Sequence, residues 1–199
     1  SFTTGAAPNN SPNKPTNPNP QNGATGVSIT PTLSWTCSDP DGDALKYDIY
    51  FGTTSSPQLA KGNQTETTYN TETLNYSTTY YWKIVAKDGK GGYTEGDVWS
   101  FTTGAAPNNS PNKPTNPDPQ NGATGVSITP TLSWNCSDPD SDTLTFDIYF
   151  GTNSNPPLLK SNHTSTNYQT NTLNYNTTYY WKIVAKDNKG ASTVGDVWS

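Results

Sequence analysis

The chain has 199 residues, 29% of them hydrophobic and 12% aromatic, with a formal net charge of −5. That negative balance, without any concentration of Lys or Arg, lacks the field that draws a protein to a phosphate backbone, so nucleic acid is not an expected partner. No run approaches the roughly 18 apolar residues of a membrane span, and nothing at the start resembles a signal peptide, so this segment is expected neither to insert in a membrane nor to carry its own address.

The dominant feature is internal repetition. Ser1, Ser100 and Ser199 fall in register at a period of 99 residues, and 21 of the 99 aligned positions differ between the copies. Two copies this similar require one fold, and a unit of this size can bury a core of its own. Each copy holds one cysteine, Cys37 or Cys136, at the same position. Two thiols in separate domain interiors cannot approach to disulfide distance, so both are expected to be free and buried.

In chain order, residues 1–4 (Ser-Phe-Thr-Thr) read as the end of the last strand of a preceding repeat. Residues 5–22 carry Pro8, Pro12, Pro15, Pro18 and Pro20 among Asn and Gly, which predicts an extended, semi-rigid linker. From 23 to 103 the apolar positions follow period two. Leu33, Trp35 and Cys37 form one run, Tyr47, Ile49 and Phe51 a second, Tyr80, Trp82, Ile84 and Ala86 a third, and Val98 to Thr103 the last. Asp41-Gly42, Asp88 to Gly92 and Gly96-Asp97 supply turn signals between them, and no window offers a helical period. Residues 104–121 repeat the linker with Asp118 in place of Asn19, and 122–199 repeat the domain, ending at Trp198-Ser199 so that its last strand reads as truncated. The expected architecture is all-β, two tandem sandwiches joined by a Pro/Asn-rich linker.

The order Leu33-Ser-Trp35, Tyr47-x-Ile49, then Leu74-x5-Tyr80-x-Trp82-x-Ile84-x-Ala86 resembles the fibronectin type III pattern, twice over. The resemblance implies a seven-stranded immunoglobulin-like sandwich in each repeat. It also implies that Trp35 and Trp134 pack the core and that Tyr80 and Tyr179 form a tyrosine corner between the fifth and sixth strands. The segments Ser-Asp-Pro-Asp and Trp-Ser-Phe-Thr-Thr are similar to variants in prokaryotic surface proteins and secreted polysaccharide-degrading enzymes.

Catalysis needs a base, a nucleophile and an orienting group, and the one histidine, His163, is Gln64 in the other copy. No catalytic residue and no required cofactor is expected. The sharpest chemical signal is Asp39-Pro-Asp41-Gly-Asp43, repeated as Asp138-Pro-Asp140-Ser-Asp142. Three alternate carboxylates can converge on calcium, or can cap their own turn; the EF-hand pattern is excluded by Ala44 and Tyr50. The sandwich topology would place Asp88 and Asp97 at the same pole, with Lys87 and Lys90 to offset the repulsion. Sequons at Asn9, Asn63, Asn75, Asn108, Asn135, Asn162 and Asn176 mark glycosylation candidates.

The functional expectation is a structural repeat unit of an extracellular or cell-surface protein, stalk or filament, with a spacer, adhesion or assembly role. The alternative is a non-catalytic spacer in a secreted polysaccharide-degrading enzyme. Expected partners are further copies of the repeat, head to tail, and surface glycans or cell-wall polysaccharide.

Overall fold

The computed structural model describes residues 1–5 and 7–199, which fall into two compact units, Ser1–Ala106 and Pro107–Ser199. Ala6, part of the expected 5–22 linker, lies outside the described residues. All regular structure among the described residues is strand, and no helix is long and apolar enough to cross a membrane.

The first unit contains β1 (Thr16–Asn19), β2 (Ala24–Val27), β3 (Thr32–Thr36), β4 (Lys46–Gly52), β5 (Gln58–Gln64), β6 (Thr68–Asn70), β7 (Thr79–Lys87), β8 (Tyr93–Glu95) and β9 (Trp99–Thr103). One sheet has the order β1-β3-β6; the other runs β2-β9-β7-β4-β5, with β8 also paired to β7. Alternation along each strand sends Leu33 and Trp35, Tyr47 and Ile49, and Tyr80, Trp82, Ile84 and Ala86 into one core with Trp99 and Phe101. Rings hold the two sheets together: Trp35 of β3 meets Tyr47 edge-on at 5.4 Å and Trp82 at 6.4 Å. The tyrosine corner is present in both units, with the Tyr80 hydroxyl accepting the Asn75 N–H at 3.1 Å and the Tyr179 hydroxyl accepting that of Asn174 at 3.1 Å.

The nine strands trace seven lines, because the first and last lines are each broken once. The last breaks after β8, where the Gly96 N–H donates to the Ile84 carbonyl at 2.8 Å. A Cβ at Gly96 would lie 3.1 Å from that same oxygen and 3.4 Å from Pro15, so the close approach requires glycine.

The linker expectation needs correction. Thr16 and Asn19 pair with Thr36 and Ser34 across β1 and β3, and Thr115 and Asp118 pair with Asn135 and Ser133 in the second unit. Pro12, Pro15, Pro111 and Pro114 are buried. An extended, proline-fixed segment has the shape of an edge strand and loses little entropy on docking, so the composition that reads as a spacer also suits the first strand.

The second unit contains β10 (Thr115–Asp118), β11 (Thr131–Asn135), β12 (Thr145–Gly151), β13 (Leu158–His163), β14 (Asn167–Gln169), β15 (Tyr180–Lys186) and β16 (Ser192–Val194). Its sheets are β10-β11-β14 and β13-β12-β15-β16. Residues 123–126, the counterpart of β2, form no strand, and Trp198 makes a single bridge to Trp181 where the first unit has β9. The buried core is otherwise equivalent, built on Leu132, Trp134, Phe146, Ile148, Trp181 and Ile183.

Candidate functional site

The chemically conspicuous residues gather at one pole of each sandwich, where the β3–β4 turn, the β7–β8 turn and the segment before β1 meet. Asp39 Oδ1 accepts the N–H groups of Asp41 at 2.8 Å and Asp43 at 3.3 Å, closing its own turn. Gly42 sits there at φ 77°, and Ser141 is held at φ 62° in the second unit, in the left-handed region that an L side chain resists.

Asp88, only 5% exposed, is the hub of the opposite turn. Its Oδ1 accepts the N–H of Lys90 at 2.7 Å and of Gly92 at 2.9 Å, while Oδ2 accepts the side-chain amide of Asn9 at 2.7 Å. Beside it, Asn10 donates its backbone N–H at 2.6 Å and its side-chain amide at 2.8 Å to Asp41. The second unit reproduces the set. Asn108 donates to Asp187 at 2.8 Å, and Asn109 donates to Asp140 at 2.6 and 3.0 Å. The Asn-Asn pair was not singled out as a structural element by sequence reasoning, which registered Asn9 and Asn108 only as sequons; the signal was its recurrence at equivalent positions.

Carboxylate oxygens of Asp39, Asp41 and Asp43 lie within 4.8 Å of one another, and in the second unit the close group is Asp138, Asp142 and Asp187, with Asp140 outside it. Lys90 meets Asp43 at 2.6 Å and Lys189 meets Asp142 at 3.1 Å. Two expected members lie elsewhere: Asp97 pairs with Lys14 at 2.6 Å, and Lys87 pairs with Asp48 at 2.7 Å. The backbone and side-chain amides of Asn10 hold Asp41 below the usual carboxylate range, and the Asn9 amide does the same for Asp88. Asn109 and Asn108 act likewise on Asp140 and Asp187, while hydrogen bonds to Asp43 and Asp142 raise Lys90 and Lys189. Asp39 Oδ2, Asp43 Oδ2 and Asp138 Oδ2 are buried with no hydrogen-bond partner among the described residues.

No protein-family model matches this sequence, and no curated protein matches it. Among the solved structures that align with it are fibronectin type III domains. The FN1–FN3 domains of chicken CNTN1 align over 98% of this chain and 67% of their own at 18% identity and a TM-score of 0.33. The fibronectin(III)-like modules of Clostridium thermocellum CbhA align over 89% of this chain and 88% of theirs at 16% identity and a TM-score of 0.35. The sandwich assignment of each unit rests on its own strand order and tyrosine corner.

The remaining candidates have structural partners. His163 ends β13 with Nε2 2.7 Å from the Asn167 carbonyl, where Gln64 of the first unit bonds the Thr68 carbonyl at 2.7 Å, so the histidine takes over the glutamine's loop contact. Cys37 and Cys136 are free but half-buried rather than buried, because each follows the end of its strand; burial still pushes both thiols up, away from nucleophilic character. Lys87 Nζ lies 2.7 Å from Asp48 and 2.8 Å from Asn63, the residue types of an isopeptide crosslink. Burial pushes Asp48 up, but the Lys87 and Asn63 bonds outweigh it and leave the carboxyl below its usual range. The trio is an ion pair joining β4, β5 and β7. Among the sequons, the side-chain amides of Asn9 and Asn108 are engaged by Asp88 and Asp187.

These pole carboxyls carry a pH signature. The folded Asp41, Asp88, Asp140 and Asp187 titrate below the unfolded aspartate value of about 3.9, so their stabilising contribution is intact above that value and is lost as pH falls through the lower folded values. Thermal melts between pH 7 and pH 2 are expected to hold steady to about pH 4 and then decline. Combined Asn9→Ala, Asn10→Ala, Asn108→Ala and Asn109→Ala substitution should lower the neutral-pH melting temperature and shrink the acid decline; an unchanged acid slope would contradict the assignment.

Proposed function

We propose that the chain is a structural repeat unit of an extracellular or cell-surface protein, in which each sandwich is a spacer that transmits tension. The observation that carries this reading is the engagement of the pole. Asn9 and Asn10 grip Asp88 and Asp41, the Asn13 N–H donates to the Ser38 carbonyl at 2.9 Å, and Thr94 donates its hydroxyl to the Pro12 carbonyl at 2.6 Å. The chain entering each unit is thus fastened across both pole turns before β1 begins. Such a clamp opposes peeling of the first strand, the point at which a pulled edge strand would otherwise fail. The Asn-, Thr- and Ser-rich surface and short strands suit an exposed stalk or filament.

Single-molecule stretching tests this. Each unit should lengthen in one event that releases residues 9–20 together with its sandwich, and Asn10→Ala with Asn109→Ala should add an early, low-force release. Extension of that segment at low force in the unmodified chain would contradict the proposal.

Calcium binding at the pole is a second reading, favoured by the buried, unpartnered Asp39, Asp43 and Asp138 oxygens. Carboxylate oxygens are the donors a hard cation takes, and Asp39, Asp41 and Asp43 or Asp138, Asp142 and Asp187 would hold it. Millimolar calcium should then raise the melting temperature, and Asp39→Asn with Asp138→Asn should abolish the rise. No shift at saturating calcium, with no heat on titration, leaves the aspartates as turn caps alone.

A further inference from the structure

The dipeptide Asn-Gly occurs as Asn22-Gly23 and again as Asn121-Gly122. In an unstructured chain this pair closes on itself readily, because no side chain crowds the approach of the glycine nitrogen to the asparagine amide carbon. The glycine nitrogen gives up its proton and bonds to Cγ, and Nδ2 takes a proton and leaves as ammonia. Water then opens the five-membered imide at either carbonyl, leaving an aspartyl or an isoaspartyl residue. Asn22 and Gly23 are exposed, so burial does not keep water from them.

Both reacting groups are held by a single residue of another strand. Asn22 Oδ1 accepts the Ser100 N–H at 2.9 Å, and the Gly23 N–H donates to the Ser100 carbonyl at 2.7 Å. The turn between them is closed by the Ala24 N–H on the Gln21 carbonyl at 2.9 Å, with Gly23 at φ 79°. The second unit repeats the pair of contacts, Asn121 and Gly122 with Ser199, at 2.9 and 2.7 Å. Ring closure needs Cγ to swing onto the Gly23 nitrogen, which breaks the Oδ1 bond. It also needs that nitrogen to lose the proton that the Ser100 carbonyl holds. Ser100 is itself fixed by its strand: Phe101 is fully buried, stacked on Tyr80 at 5.9 Å and Phe51 at 6.3 Å, and β9 is paired to β7 on one edge and β2 on the other.

We propose that Asn22-Gly23 is a self-modification site gated by the last strand of its unit. While Ser100 sits in β9 the pair is held apart from reaction; when β9 leaves β7 and β2, the amide and the glycine nitrogen are released together and deamidation proceeds at the rate of a free chain. The product also changes how the strand returns. An isoaspartyl linkage adds one carbon atom to the main chain between residues 22 and 23, so the side chain and the Gly23 N–H no longer meet Ser100 at once. A unit that has stayed open long enough is therefore marked covalently and closes less firmly afterwards. The inference rests on the Ser100 contacts alone; its failure would leave the tension-bearing reading of each sandwich standing.

Peptide mapping by mass spectrometry during incubation of the full chain at mildly alkaline pH tests the proposal, with a Pro-Gln-Asn-Gly-Ala-Thr peptide giving the rate in the absence of a fold. Conversion at Asn22 in the folded chain should be about tenfold or more slower than in the peptide, because it waits on strand opening. Urea below the unfolding transition should raise the folded-chain rate without changing that of the peptide. Phe101→Leu, which gives up the ring stack but keeps an apolar anchor, should raise it in plain buffer. The purified isoaspartyl chain should melt below Asn22→Asp, whose carboxylate still accepts the Ser100 N–H. Conversion of the folded chain at the peptide rate, a folded rate that neither urea nor Phe101→Leu moves, or equal melting of the two products would overturn the proposal.

Discussion

A buried carboxylate must find donors on every side or titrate, and at Asp88 the donors come from distant parts of the chain. Two are the N–H groups of its own turn, at Lys90 and Gly92; the third is the Asn9 amide, 79 residues upstream. That bond fixes where the chain enters the sandwich. With Asn9 held, Pro12 and Pro15 reach buried positions and Thr16 arrives opposite Thr36, so the first strand is set in register by a contact made before it begins. The same dependence repeats at Asp187 and Asn108. Satisfaction of one buried group thus links the pole's electrostatics to the packing of the edge strand.

The core itself is aromatic and shallow, which makes its edges consequential. Only 29% of the residues are hydrophobic, so each sandwich relies on a few rings and on short strands to cover them. The first unit shows what the last strand contributes. Phe101 is fully buried and stacks on the buried Tyr80 at 5.9 Å, and Ala24–Val27 pairs in parallel with its strand.

Much of this was legible from residue order. Period-two alternation located the core residues of β3, β4, β7 and β9 because a strand with one wet face must alternate, and the resemblance to fibronectin type III domains implied the corner that Tyr80 forms with Asn75. The shared pole of Asp39, Asp41, Asp43 and Asp88 followed from topology. The first strand did not follow, since Thr16–Asn19 has no apolar alternation; its register comes from prolines that bury and from amide bonds to distant aspartates, neither of which has a periodic signature. Lys87 and Asp97, expected to join the aspartate cluster, pair instead with Asp48 and Lys14. Lysine reaches across strands, and Asp48 on the neighbouring β4 is nearer to Lys87 than the pole is.

The claim beneath the functional reading is that residues 9–20 belong to the folded sandwich. Amide hydrogen exchange by NMR tests it most directly, at Asn10, whose N–H donates to Asp41, and at Asn13, whose N–H donates to the Ser38 carbonyl. Exchange at these sites, and at Asn109 and Asn112, should be far slower than in an unstructured peptide of the same sequence. Exchange at the free-peptide rate at all four would contradict it and return the segment to the role of a linker.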